Sequence, residues 1–465
     1  MSHIEDYIDS KKEEIIKEVC EIVKIPSVNE ISNDSSKPFG ENVNKALEHF
    51  LKLGERLGFR TKNIDGYCGY VEFGEGDELL GIIGHLDVVP AGDGWTHKPF
   101  DPEISGGKIY GRGTTDDKGP VIASLYAMKA VKELFNVNKR VRLIVGLNEE
   151  NDWECIKYYK KVEEMPTIGF SPDADFPCIY AEKGLLSVYI SKELDENENI
   201  KIENIDTKNN AINVVPKYCS ISIEIKDELL LNKINSDILE IAKEKSFEIK
   251  TNVKEKSLKI ESFGKAAHAA HPELGINAIS RLVLVLNKAF KLNNINNDFI
   301  KLLSDKINLE TDGKSLGINF KDEMGELTLN LARLYIEDNK IIAGANLRVP
   351  VTINIDDVEN EIKKSLSFDN VKVLFKDRKD SLYIPKEDEL VKKLCKIYND
   401  YYGKNEEPLA IGGATYARAF KNCVSFGAMM PNEEDMCHKA DEFIKIDYLI
   451  DSCKIYAKAI YELAK

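Results

Sequence analysis

The sequence predicts an α/β protein built around a mainly parallel, mixed sheet, with a second α+β domain inserted into it. Three observations carry this. The chain has 465 residues, too many for one ordinary core. Short apolar strands alternate with helical stretches at both ends of the chain, the pattern of a parallel sheet covered by helices. Between them, after about residue 183, the texture changes to strands that alternate apolar and polar residues, as half-buried strands do.

Taken in order, residues 3–24 carry Ile4, Ile8, Ile15, Val19 and Ile22 at mostly helical spacing, and 41–58 repeat the pattern with Val43, Leu47, Phe50, Leu51 and Leu57. Strands follow at 69–73 and 79–84, and a helix at 119–135 after "DDKGP". "VRLIVGL" (141–147) and "TIGFS" (167–171) are short apolar strands that run into acidic residues. In the insert, "YCSISIEI" (218–225), "LKIESFG" and "KIIAGANLRVP" alternate, while "GINAISRLVLVLNKAF" and "DDVENEIKKSLS" read as amphipathic helices. Near "KDSLYIPKE" the reading turns helical again, "NCVSFGAMMP" returns as a core strand, and a last helix spans 446–464. The simplest arrangement is one domain from 1–183 and 383–465, with 184–382 inserted.

Composition narrows the function. With 64 basic and 79 acidic residues the net charge is −15, which disfavours a nucleic-acid partner. No window approaches 18 apolar residues, so no membrane span is expected. The charged N-terminus does not read as a secretory signal. Nine cysteines without a CxxC pair suit reduced thiols in a cytoplasmic protein.

Four strand ends share one grammar, an apolar run followed by ligand-type side chains: "GIIGHLD" (His85, Asp87), "VGLNEE" (Glu149, Glu150), "GFSPDAD" (Asp173, Asp175) and "MMPNEEDMCHKADE" (His438). A fifth stretch, "GRGTTDDKG", sets Asp116 and Asp117 in a glycine-rich loop before a helix. Singly, each has a plain reading: adjacent acids after a strand are usually a solvated turn, and "SPDADFP" alone is a Pro/Asp turn. Open α/β sheets, however, bind ligands beyond the carboxyl ends of their strands, so these groups can converge. Convergence of so many carboxylates calls for a cation, and two histidines with several acids suit zinc or a similar divalent ion. His85-Leu-Asp87 then reads as a metal-binding imidazole whose other ring N–H is oriented by Asp87. In "NEE", one carboxylate can bind metal while its neighbour takes a proton from water.

Together, "GHLDVVPAGDGW", "GRGTTDDKGP", "NEE", "SPDADFP", "GKAAHAAHPELGINA", "ANLRVP", "GGATYAR" and "MCHKADE" resemble the M20 metallopeptidase family, and within it the bacterial dipeptidase V (Xaa-His or β-Ala-Xaa dipeptidase) branch. The resemblance covers essentially the whole chain. It implies a zinc-peptidase catalytic domain and an inserted lid with ferredoxin-like halves. It implies two zinc ions, with Mn2+ or Co2+ as possible substitutes: one held by His85 and Asp173, the other by Glu150 and His438. The family pattern G-x-G-x-x-D-x-K-G, counted from Gly111, places the bridging ligand at Asp116, before a cis peptide bond. Glu149 matches the general base acting on a dizinc-activated water, and Asp87 the orienting carboxylate. In the lid, His268 matches the residue that stabilises the oxyanion, and Asn213 and Arg348 match residues that hold the substrate. Gly412, Gly413 and Thr415 fall in a substrate-side loop without individual roles.

The reaction implied is hydrolysis of unblocked dipeptides by a monomer, because a long insert can supply His268 in cis. An M20 N-acyl-amino-acid deacylase or desuccinylase-type amidohydrolase is the alternative, since the metal and base motifs are shared. A non-catalytic binding protein is disfavoured because Glu149 and every ligand are present. A thiol enzyme built on Cys437 beside His438 is disfavoured because that histidine is already taken as a ligand.

Overall fold

The computed structural model describes residues 2–194, 200–367 and 370–465. They divide into two units, Met1–Ala181 with Leu382–Lys465, and Glu182–Ser381.

The first unit is organised by a mixed sheet. Its order is Arg60–Ile64, Cys68–Phe73, Arg140–Gly146, Leu79–His85, Ile168–Ser171, Cys423–Ser425, Ile179–Glu182 and Leu382–Tyr383, with Leu409–Ile411 also paired to Ile179–Glu182. The four central strands, from Arg140–Gly146 to Cys423–Ser425, run parallel. Their neighbours Cys68–Phe73 and Ile179–Glu182 run antiparallel to them. Central strands of such a sheet are covered on both faces, which is why they read as unbroken apolar runs; every residue of Leu79–His85 is buried. The Lys118–Leu134 helix packs on two central strands, on the Ile446–Ala464 helix and on the N-terminal helices. Being enclosed in this way explains its nearly all-round apolar surface.

Two sequence readings change. The 3–24 stretch forms two helices, Ser2–Ser10 and Lys12–Val23, broken at Lys11, yet Ile4, Ile8, Ile15, Val19 and Ile22 are all buried. "NCVSFGAMMP" forms two strands, Cys423–Ser425 and Ala428–Met429, separated at Gly427. Gly427 has φ 76°, and a Cβ there would lie 2.3 Å from the Phe176 ring, so glycine is required at the break.

The second unit holds two four-stranded antiparallel sheets. One has the order Thr328–Glu337, Lys340–Val349, Gly184–Glu193, Lys372–Lys379, and the other Ile200–Asp206, Tyr218–Ile225, Ser257–Phe263, Ile249–Lys254. Each follows a ferredoxin-like β-α-β-β-α-β plan. In the first, the helix Ile355–Ser365 joins the last two strands, and the other sheet is inserted after Gly184–Glu193. In the second, helices Glu228–Glu244 and Ala278–Leu292 follow Tyr218–Ile225 and Ser257–Phe263, and the closing strand, Ile200–Asp206, comes first in the chain. Alternation does the packing: Ile221, Ile223 and Ile225 join one core cluster with Leu347, Val349 and the helices. The Glu228–Glu244 helix, capped by Asp227, lies outside the sequence reading although Leu231, Ile234, Ile238 and Ile241 mark its buried face. Among the described residues, no helix is long and apolar enough to cross a membrane.

Candidate metal centre

His85 ends a strand that is buried along its whole length and is itself fully buried. The residue before it is glycine for a local reason: a Cβ on Gly84 would sit 2.3 Å from Asp117 Oδ2. That same oxygen accepts the main-chain N–H of His85 at 3.1 Å. The ring's Nδ1 faces the carbonyl oxygen of Asp87 at 2.9 Å and Asp87 Oδ1 at 3.5 Å. The nearer partner of the imidazole is therefore the Asp87 carbonyl. The Asp87 carboxylate accepts the main-chain N–H groups of Glu149 at 3.0 Å and Glu150 at 3.1 Å, one on each oxygen. One residue just past the strand end, Asp87, thus orients the imidazole through its carbonyl and fixes the turn that carries both glutamates through its carboxylate.

His85 Nε2 lies 3.0 Å from Asp116 Oδ1 and 3.7 Å from Asp173 Oδ2. The other Asp116 oxygen, Oδ2, lies 3.1 Å from His438 Nε2, which is also 3.1 Å from Glu150 Oε1. Asp116 therefore presents one oxygen to each histidine. Two triads have ligand atoms within 4.8 Å of one another, His85–Asp116–Glu150 and His85–Glu149–Asp173. The Asp116–Asp117 peptide bond is cis. His438 is exposed and has φ 64°.

The electrostatics follow from crowding. Burial alone would push His85 down, but hydrogen bonds to Asp116 and Asp87 and the charge of Asp173 hold it well above the usual imidazole range. Although His438 is exposed, desolvation among the acids likewise opposes a proton on it, yet Asp116 and Glu150 raise it to about 11. Burial would raise Asp116, but both histidines hold it well below the ordinary carboxylate range. Burial, and then the charge of Asp116, raise Glu150 and Asp173. The acids around both imidazoles thus favour positive charge at this cluster. Imidazole nitrogens and carboxylate oxygens in this proportion also fit zinc, manganese or cobalt.

The second unit carries the remaining candidates. Asn213 and His268 lie on paired segments: the Ala269 N–H donates to the Asn213 carbonyl at 2.8 Å, and Val214 bridges His268. His268 is exposed, and its Nδ1 accepts the Ala270 N–H at 3.3 Å. Arg348 is 5% exposed, with Nε donating to Asn346 Oδ1 at 3.1 Å. Thr328, paired with Arg348 across the sheet, donates from Oγ1 to the Ala269 carbonyl at 3.2 Å, which links the arginine strand to the His268 loop.

Two supporting residues escaped the sequence reading. Trp153 Nε1 donates to the Glu149 carbonyl at 2.8 Å, and Glu442 gathers the main chain around Asp116. Glu442 stands inside the quoted "MCHKADE" motif, so its place was visible while its partners were not.

A parallel sheet whose strand ends converge acids and two histidines defines an α/β protein with a candidate divalent-cation centre. The model of Peptidase family M20/M25/M40 matches residues 81–462, and the chain belongs to that family. YtjP of Bacillus subtilis (strain 168), which carries a provisional dipeptidase name, is 41% identical over 462 residues, 98% of each chain. The Beta-Ala-Xaa dipeptidase of Lactobacillus delbrueckii subsp. lactis is 35% identical over 469 residues, covering 100% of this chain and 98% of its own. Human carnosine dipeptidase 1 shares the fold, with TM-score 0.59 at 15% identity over 99% of this chain and 98% of its own.

Proposed function

We propose that this chain is a metal-dependent dipeptidase that hydrolyses the peptide bond of unblocked dipeptides, with two divalent cations and Glu149 as general base. The observation that carries the reading is Asp116, whose two oxygens lie 3.0 and 3.1 Å from the two candidate imidazole ligands. His85 and Asp173 would hold one cation, Glu150 and His438 the other, and Asp116 both. Zinc held by these residues would supply Lewis acidity toward the scissile carbonyl and would bring the pKa of a water to about 7.

The protein's part is to hold and move a proton. Asp87 holds the Glu149 amide and Trp153 its carbonyl, so the backbone that carries the Glu149 carboxylate is pinned. It takes a proton from the attacking water and returns it to the leaving amine. His268 is assigned to the developing oxyanion, Asn213 to the substrate backbone, and Arg348 to the terminal carboxylate, which its planar fork suits. The dipeptide class is supported by the name of the Lactobacillus relative and by the full-length match to it. The insert's two ferredoxin-like halves favour a monomer, which light scattering at assay concentration tests.

The reading is tested by a turnover panel. Free dipeptides are expected to be cut fastest, tripeptides well behind, and dipeptide amides and N-acetyl amino acids slowest. Faster hydrolysis of N-acetyl amino acids than of any dipeptide would make the enzyme a deacylase instead.

A further inference from the structure

The loop that carries Asp116 is built around a carboxylate from near the other end of the chain. Glu442 is fully buried. Its Oε1 accepts the main-chain N–H groups of Gly113 at 3.0 Å, Thr115 at 2.9 Å and Asp116 at 3.2 Å. Its Oε2 accepts Arg112 Nη1 at 2.7 Å, and Arg112 is 1% exposed. The Glu442 carbonyl receives the Gly111 N–H at 2.9 Å, and Thr115 Oγ1 donates to the Phe443 carbonyl at 2.7 Å. Amides converging on one anion form a nest, and a charge this deep is tolerable only with such partners.

Position makes this more than local packing. Glu442 lies shortly after His438 and leads into the Phe443–Lys445 strand, which pairs with Lys108–Tyr110. Its neighbour Asp441 accepts the N–H groups of Thr96 and His97 at 2.8 and 2.9 Å. One carboxylate therefore ties the segment after His438 to the segment that ends in Asp116. Asp116 cannot swing about its main chain without giving up its bond to Glu442.

We propose that Glu442 is a positioning residue for the metal centre: by gathering the amides of 113, 115 and 116 it holds Asp116 where its two oxygens face His85 and His438. The proposal rests on the reading of Asp116 as the ligand shared by two cations. Two conservative variants probe it. Glu442→Gln keeps the size but turns an amide NH2 toward Arg112. Glu442→Asp keeps the charge opposite Arg112 but shortens the reach to the amides.

The test is calorimetric titration of zinc into the metal-free, full-length chain, with thermal unfolding measured on the same samples. Glu72→Gln serves as the control, because it loosens the buried Glu72–Arg142 pair elsewhere in the same unit (2.6 Å). Both Glu442 variants are expected to bind zinc roughly 10- to 100-fold more weakly than wild type. Glu72→Gln is expected to lose stability while zinc affinity stays within about twofold. Glu442→Asp decides the matter if Glu442→Gln misfolds. Wild-type zinc affinity in a folded Glu442→Asp would overturn the proposal alone, reducing Glu442 to a stabilising residue. A wild-type chain that takes up no zinc would overturn the metal reading beneath it.

Discussion

The two units bury polar groups in different ways. The first encloses ionisable side chains in number: His85, Asp87, Arg112, Asp117, Lys118 and Glu442 are all 1% exposed or less. In the second, the buried polar residues are mostly serines and asparagines, and among the described residues the only buried acidic or basic ones are Arg348 and Glu182, the latter at the boundary with the first unit. Uncompensated buried charge is costly, so a fold keeps it where it is paired or where it acts. The first unit reads as a frame for cations and a proton. The second encloses few charges, and Arg348, proposed above for the substrate carboxylate, is its buried cation.

The sharpest break of that contrast is at the base. Glu149→Gln removes the proposed proton acceptor and leaves the proposed metal ligands, so turnover is expected to fall about 10²- to 10⁴-fold or more with metal content unchanged. Metal analysis beside kcat checks it, and near-normal turnover would take Glu149 out of the mechanism.

Next comes the shared carboxylate. Asp116→Ala is expected to lower metal content and activity together. Asp117→Ala leaves the buried His85 N–H without its acceptor, so its main effect is a loss of about 1–3 kcal/mol of stability. Denaturant unfolding and zinc titration of both variants separate the two roles. Loss of metal in the Asp117 variant alone would move the ligand by one residue.

In the second unit, Arg348→Ala should narrow the gap between a free dipeptide and its amide. Charge-assisted hydrogen bonds of about 1.5–3 kcal/mol are lost for the acid only, roughly 10- to 150-fold in kcat/KM. An unchanged ratio would return Arg348 to a structural role.

The smallest effect is in pH. In the metal-free protein His438 is held at about 11, above its ordinary 6.5. Its stabilising contribution is therefore full below pH 6.5 and is lost as pH rises through about 11. Zinc held by His438 as proposed would have to displace that proton, so affinity should rise with pH, by about tenfold per unit for each proton displaced. Titrations at pH 6, 7 and 8 measure the slope, and a flat profile would mean that neither imidazole binds the ion.

Legibility in the sequence followed the same division. Central parallel strands are unbroken apolar runs, so "GIIG" and "VRLIVG" declared themselves, as did the alternating "YCSISIEI". The edge strand Arg60–Ile64 did not: it is polar and largely exposed, and reads as a loop. The helix break at Lys11 was hidden because the apolar stripe continues through it. At the candidate centre, residue types and their order pointed to candidate ligands, but hydrogen-bond partners are a property of folding. No spacing rule says that the Asp87 carboxylate serves the amides of Glu149 and Glu150, or that Glu442 encloses the Asp116 loop across more than 300 residues of chain.

The most direct test is dipeptide turnover by the metal-free, full-length chain as zinc is added in measured equivalents. The account predicts no turnover without metal, a rise with added zinc and a plateau at two equivalents. Full turnover in the metal-free chain, or no hydrolysis of any free dipeptide at any zinc level, would contradict it.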